Sequence, residues 1–282
     1  MPEREAVAPR EYQFSEDTFQ RVRRMVHDEL GISLADSKRE LVYRRLSRRL
    51  RALQLSDFES YLRLIDERDP QELQNFCNAL TTNLTSFFRE PHHFEFLADE
   101  LLPAIERNNA ASRRIRIWSA GCSSGEEAYS AAMVALETLG HLRGWSIRIL
   151  ATDIDSNVLE LARRGIYNGE ALEKVDAARL VRWFQRVGRS RHYRVCQEVR
   201  QLVAFRRLNL IERWPMAGPF DVILCRNVII YFDRATQRQV IEQMSRLQRP
   251  GDHLILGHSE LLLELSTRYR LIGHAIHCRV SP

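Results

Sequence analysis

The sequence predicts an α/β fold with a mostly parallel sheet, preceded by a small all-α domain. Three observations predict it. The 282 residues leave room for two domains at roughly 100–200 residues each. Residues 15–80 carry helical apolar spacing throughout, with no β-rich run. After Pro103, short apolar strands alternate with helix-length segments, which means crossover units and a mostly parallel sheet. Hydrophobic residues at 44% and charged residues at 28% match an ordinary globular chain, excluding a disordered one.

In the first part, Phe19, Val22, Val26 and Leu30 recur at helical spacing and Gly31 ends that helix. A second helix aligns Leu41, Val42, Leu46, Leu50 and Leu53 on one side, with Arg44, Arg45, Arg48, Arg49 and Arg51 on the other. Ser56 and Asp57 can cap a third helix, and Pro70 opens a fourth over 71–80. In the second part, strands are expected over 115–119, 147–152, 199–205, 220–225 and 254–256, and helices over 126–139, 157–164 and 235–247. Residues 187–195, with Gly188, Ser190 and Tyr193, break the alternation and read as a β-hairpin inserted into it. The expected domains are 11–85 (helical), 86–112 (a linker helix region) and 113–282 (α/β), with the β insertion near 186–202.

No apolar run reaches the roughly 18 residues of a membrane span. Residues 1–10 hold Glu3 and Glu5 and lack the apolar stretch of a signal peptide. Five cysteines, without metal-ligand spacing, read as free thiols of a reducing cytosol, so a cytoplasmic protein with no metal is expected. The formal charge of +5 hides an uneven distribution: residues 38–51 and 186–207 are each +6 over an otherwise acidic chain. Such segments are either solvated faces or docking surfaces for an acidic partner, since guanidinium groups grip carboxylates in bidentate fashion. Nothing beyond charge marks a recognition helix for DNA, so no nucleic-acid partner is expected.

In a doubly wound sheet, ligands sit at the carboxyl ends of the strands. The first strand ends in Gly121-Cys122-Ser123-Ser124-Gly125-Glu126-Glu127, whose small residues admit a ligand close to the backbone before a helix N-terminus. It lacks the dinucleotide fingerprint, and no lysine follows Gly125 as in a phosphate loop. Thirty-two residues beyond Gly121, Asp153 stands at the tip of the second strand, where an acid can accept both hydroxyls of a ribose. Asp155 reads instead as a helix cap. Ribose recognition without a phosphate cradle points to S-adenosylmethionine. Arg226, Asn227 and Tyr231 follow the fourth strand.

The stretches Asn83-Leu84-Thr85-Ser86-Phe87-Phe88-Arg89-Glu90, Gly121 to Glu127, Thr152-Asp153-Ile154-Asp155, Cys225-Arg226-Asn227-Val228-Ile229-Ile230-Tyr231-Phe232 and Gly257-His258-Ser259-Glu260 closely resemble the CheR family of chemotaxis protein methyltransferases. The resemblance spans about residues 15 to 275 in order. It implies a Rossmann-like class I methyltransferase domain with a small β-subdomain, and methyl transfer from S-adenosylmethionine to glutamates on the cytoplasmic helices of transmembrane chemoreceptors. The products would be glutamate methyl esters and S-adenosylhomocysteine. Carried over position by position, it implies cofactor contacts at Asn83, Thr85, Arg89, Glu127, Asp153, Asn209, Leu210, Arg226 and Asn227. Asp153 would hold the ribose, Asn209 and Leu210 would border the adenine, and Glu127 would meet the amino group.

Arg226, Tyr231 and Arg89 are the expected catalytic residues, the first two placing the substrate carboxylate. Arg44, Arg45, Arg48 and Arg49 are the expected receptor-docking residues. A glutamate is already ionised at neutral pH, so alignment and water exclusion rather than base catalysis should dominate. The hairpin over 185–194 is a few residues shorter than in relatives that tether to a receptor's C-terminal peptide, which predicts independence from a C-terminal pentapeptide. An adaptor that binds S-adenosylmethionine but mainly docks signalling partners is the alternative.

Overall fold

The computed structural model describes residues 11–260, 262 and 266–280; the expectation about a signal peptide lies outside them. The chain divides into two compact units, Met1–Thr81 and Thr82–Pro282.

Among its described residues, the regular elements of the first unit are all helices. Helix α1 (Glu16–Leu30) starts where the Ser15 side chain accepts the Thr18 N–H and stops at Gly31, whose φ of 70° is left-handed. Its buried residues are the predicted stripe of Phe19, Val22, Val26 and Leu30. Helix α2 (Arg39–Leu53) buries Val42, Tyr43, Leu46 and Leu50. Helices α3 (Phe58–Asp66) and α4 (Pro70–Leu80) are capped by Asp57 and Asp69.

The arginines of α2 do not form one outward face. Arg44 and Arg48 are exposed. Arg45 instead donates Nη1 to the carbonyls of Ala79 (3.4 Å) and Thr81 (2.6 Å), answering the carbonyls that a helix C-terminus leaves without partners. Arg49 forms a two-point ion pair with buried Glu72, through Nε at 2.9 Å and Nη2 at 2.6 Å. Of the expected docking set, half-buried Arg49 is thus engaged within the unit, since the buried Glu72 carboxylate demands a cation.

The second unit begins with a continuous helix: α5 (Pro91–Phe96), a π turn (Leu97–Leu101) and α6 (Leu102–Asn108). The Leu102 N–H reaches back to the Leu97 carbonyl, and Pro103 next to it has no N–H to offer, which accounts for the wider turn. There follow β1 (Arg114–Ala120), α7 (Glu126–Leu139), β2 (Ser146–Asp153), α8 (Ser156–Arg164), β3 (Ile166–Asn168), α9 (Ala177–Trp183), β4 (Phe184–Arg186) and β5 (His192–Val195). The chain continues through α10 (Gln197–Leu202), β6 (Val203–Arg207), β7 (Val222–Cys225), α11 (Arg234–Arg246), β8 (His253–Leu256), β9 (Tyr269–Gly273) and β10 (Ile276–Arg279).

Seven strands form one sheet in the order β6-β2-β1-β7-β8-β10-β9, and three form a second in the order β3-β5-β4. β1 runs parallel to both β2 and β7, while β10 is antiparallel to both neighbours. Strand order therefore reverses between β1 and β7, and the loops leaving these two strands flank the ligand position of a doubly wound sheet. Helix α7 is buried from Glu126 to Ala135; its alanines at 128, 131, 132 and 135 let it lie close against the sheet. The strand expected over 199–205 is corrected: residues 197–202 are helical and only the β-branched start at Val203 opens a strand. The hairpin expected over 187–195 is β4–β5, and β3 adds a third strand that the sequence did not signal. Among the described residues, no helix is long and apolar enough to cross a membrane.

Candidate functional site

Every expected cofactor contact lies in the second unit, and most gather at the carboxyl edge of the sheet. The turn after β1 is held by the Thr152 carbonyl, which accepts the N–H groups of Gly121 (2.7 Å) and Cys122 (2.9 Å). Gly121 has φ +80°, and a Cβ there would lie 2.4 Å from Val228 Cγ2, so the turn and the loop after β7 can approach only through a glycine.

Two clusters then form. In the first, Asp153 accepts the Ser123 N–H on Oδ2 at 2.8 Å and the Asp155 N–H on Oδ1 at 2.9 Å. Burial pushes the Asp153 carboxyl up, and these N–H groups oppose the shift. Asp155 caps α8, as expected, accepting from Asn157 N, and its other oxygen accepts the Asn83 side-chain amide at 2.6 Å. Ser123 Oγ donates to the Asn83 carbonyl at 2.9 Å, so Asn83, the β1 turn and the tip of β2 form one surface. The Leu208 N–H donates to the Asp153 carbonyl at 2.9 Å, which brings Asn209 and buried Leu210 beside that tip. The Asn209 side chain is turned into its own loop, donating to Glu212 Oε1 and accepting from Ile211 N.

The second cluster centres on Arg226, whose side chain is 2% exposed. It donates Nε to His93 Nδ1 (2.9 Å), Nη1 to Glu127 Oε2 (3.1 Å) and Nη2 to the Arg89 carbonyl; Glu90 Oε2 lies 3.4 Å from Nη2. Glu127 is completed by the Ser119 hydroxyl at 2.7 Å. Burial pushes the Glu127 carboxyl up while Arg226 opposes it. For Glu90 burial acts upward too, but the charge of Arg226, with the Asn227 amide and the His258 N–H as donors, brings its pKa below the ordinary value. Arg226 is expected to meet the substrate carboxylate; in this geometry Nε, Nη1 and Nη2 each already hold a protein partner, and withdrawing Nη1 would leave the buried Glu127 carboxylate without its cation.

Arg89 is half-buried, with Nη1 donating to the Leu84 carbonyl at 2.9 Å. Thr85 is half-buried on the same segment, and Tyr231 is half-buried on the 3₁₀ turn Ile229–Tyr231, outside the Arg226 network. Asn227 adopts φ 59° and donates Nδ2 to Glu90 Oε1 at 3.4 Å. The residues that sequence reasoning left without a role are Glu90, His93 and Glu260. Glu260 accepts four backbone N–H groups, from Asn227 (2.7 Å), Val228 (2.9 Å), Ile230 (3.2 Å) and Gly257 (2.6 Å). Its one available signal was its place in the Gly257 to Glu260 stretch.

Residues 83–278 match the family described as "CheR methyltransferase, SAM binding domain", and residues 17–81 match "CheR methyltransferase, all-alpha domain". The chain belongs to the CheR methyltransferase family. A chemotaxis protein methyltransferase 2 of Pseudomonas aeruginosa is 46% identical over 273 residues, covering 95% of this chain and 94% of the relative. A chemotaxis protein methyltransferase of Escherichia coli is 44% identical over 269 residues, covering 93% and 91%.

The cofactor of this CheR domain is S-adenosylmethionine, and the donor set fits it. Asp153 offers roughly four acceptor positions, and the N–H groups that meet it, Ser123 and Asp155 among them, do not fill them all, leaving acceptor capacity for a ribose hydroxyl. Glu127 supplies a carboxylate in the first turn of α7, and the site offers no lysine cradle for phosphate, which this cofactor lacks.

Proposed function

We propose that the protein transfers a methyl group from S-adenosylmethionine to glutamate side chains on the cytoplasmic helices of transmembrane chemoreceptors, working in the cytoplasm and giving glutamate methyl esters and S-adenosylhomocysteine. The observation that carries the reading is the match of both CheR domains in order, together with relatives named chemotaxis protein methyltransferases that align over nine-tenths of both chains.

When bound, the cofactor supplies an activated methyl on a sulfonium. Asp153 holds the ribose hydroxyls, Leu210 and Asn209 border the base, and Glu127 meets the amino group. Asn83, Thr85 and Asn227 line the remaining wall. Arg226 holds Glu127 and the Arg89 backbone in register from behind. Tyr231 and the Arg89 guanidinium, both partly exposed, orient the incoming carboxylate. A glutamate with a pKa near 4.3 arrives ionised, so no group on the protein has to take a proton. The opposite charges of carboxylate and sulfonium diminish together as the methyl moves, so tight ground-state pairing would not accelerate transfer; alignment and water exclusion do.

Incubation with methyl-labelled S-adenosylmethionine and a receptor cytoplasmic domain tests this. The label must enter the receptor and be released by mild base as methanol; base-stable label would overturn the ester assignment.

The turn between β4 and β5 spans only residues 187–191, which supports recognition of the receptor without a C-terminal tether. Micromolar binding of a receptor's C-terminal pentapeptide would contradict that.

A further inference from the structure

Glu90, His92 and His93 each place a ligating atom within 4.8 Å of the others, an arrangement that invites a metal reading. The position is already taken by a cation: the Arg226 guanidinium sits 2.9 Å from His93 Nδ1 and 3.4 Å from Glu90 Oε2. His93 is 1% exposed, and its other ring nitrogen lies 2.6 Å from the His274 carbonyl oxygen.

The chemistry of the partners fixes the state of this ring. An arginine Nε–H can only donate, so Nδ1 must be the acceptor. A carbonyl can only accept, so Nε2 must carry the proton. His93 is therefore a neutral imidazole of one tautomer. It bridges His274, in the turn between β9 and β10, to the guanidinium that grips Glu127 and the Arg89 backbone. Arg226 carries five N–H groups on a long flexible stem, and the contact at Nε adds a third fixed point to the planar group that aims Nη1 at Glu127 and Nη2 at Arg89.

We propose that His93 is a positioning residue for the cofactor: as a neutral acceptor to Arg226 Nε, it sets the orientation of Arg226 and through it the places of Glu127 and the Arg89 backbone. This rests on the reading of Glu127 and the 83–89 segment as cofactor contacts.

Three variants separate the role from mere filling of space. Asn in place of His93 keeps an acceptor atom near the Nδ1 position, Gln keeps a donor near the Nε2 position, and Phe keeps bulk with neither. Titration of the full chain with S-adenosylmethionine should show His93→Asn within about threefold of the natural protein. His93→Gln and His93→Phe should be weakened about tenfold or more, the cost of a buried charged donor losing its acceptor. Equal weakening by Asn and Gln, or unchanged binding in His93→Phe, overturns the proposal.

Should a variant fail to fold, nitrogen-15 spectroscopy of the natural protein at neutral pH decides: an Nε2–H tautomer is expected, and an Nδ1–H or charged ring overturns it. A Glu127→Gln control distinguishes the two levels. If it binds cofactor normally, the Glu127 reading fails and takes this proposal with it. If it is weakened while His93→Gln is not, only the positioning role fails.

Discussion

Glu260 Oε2 accepts the backbone N–H of Asn227 at 2.7 Å, and this contact holds a non-glycine residue in the left-handed conformation, φ 59°. Such a residue persists only where its surroundings over-determine it. Here they do: the two oxygens of one 2%-exposed carboxylate collect N–H groups from 227, 228, 230 and 257. The loop that carries Asn227 and Tyr231 is thereby built around Glu260.

Glu260→Gln should therefore be severe despite its near-identical shape. Whichever way the amide turns, its NH₂ faces two backbone N–H groups that then lack an acceptor. At about 1–3 kcal/mol per orphaned donor, unfolding in urea should show a loss of about 3 kcal/mol or more, with weakened cofactor binding. A loss below about 1 kcal/mol would mean the four bonds are not holding the loop.

The contact of Gly121 with Val228 predicts non-additivity. Gly121→Ala imposes an unfavourable φ of +80° and a Cβ 2.4 Å from Val228 Cγ2. Adding Val228→Ala removes the clash, since the Val228 Cβ itself would stand 3.4 Å away, but leaves the backbone strain. The double variant should recover about 1 kcal/mol or more relative to the sum of the singles, read by denaturant unfolding, yet remain less stable than the natural protein. Strict additivity would place the whole cost in the backbone.

The contrast between these elements and α10 shows what the sequence could reveal. Helices α1 to α4 were legible because caps and apolar spacing agree locally: Ser15, Asp57 and Asp69 accept N–H groups at the starts of α1, α3 and α4. Residues 199–205 misled because Val199 and Val203 favour strands, while the fully buried position of Val199 is decided by tertiary packing that overrides propensity. At the site, Asp153 could be located from the end of a strand. The role of Arg226 could not: its partners lie 133 residues away at His93 and 99 at Glu127, and whether an arginine faces substrate or interior depends on those distant partners. The same holds for Arg45 and Arg49, whose place on the polar side of α2 concealed inward-reaching guanidinium groups.

His93 predicts a pH dependence. Burial, with Arg226 and His92 adding to it, holds its pKa down to about 4 against an ordinary 6.5, while Glu90 and the His274 carbonyl act the other way. Below pH 6.5 the unfolded chain takes up a proton that the folded protein refuses. The stability contributed by neutral His93 is thus fully present above pH 6.5 and is lost progressively as pH falls toward 4. The shift corresponds to about 3 kcal/mol. The destabilisation caused by His93→Asn should be largest at pH 7 and shrink toward pH 4.5, measured as the difference between urea curves at each pH. A difference that stays constant, or grows on acidification, would contradict a neutral buried ring.

Helix α2 provides the sharpest division between stability and recognition. Glu72 is buried, and Arg49 meets it at both oxygens while the Tyr61 hydroxyl adds a third bond at 2.9 Å. Arg49→Glu places a second carboxylate against it and should cost about 3–5 kcal/mol, visible as a lowered unfolding midpoint. Arg44 and Arg48 are exposed, so Arg44→Glu and Arg48→Glu should stay within about 0.5 kcal/mol of the natural protein and bind S-adenosylmethionine unchanged. If these two arginines meet an acidic receptor helix, methylation of receptor should fall in both variants, most strongly at low ionic strength where exposed charges act furthest. Receptor methylation at the natural rate under those conditions would mean that the charge on α2 serves the fold through Arg45 and Arg49 and is otherwise a solvated face.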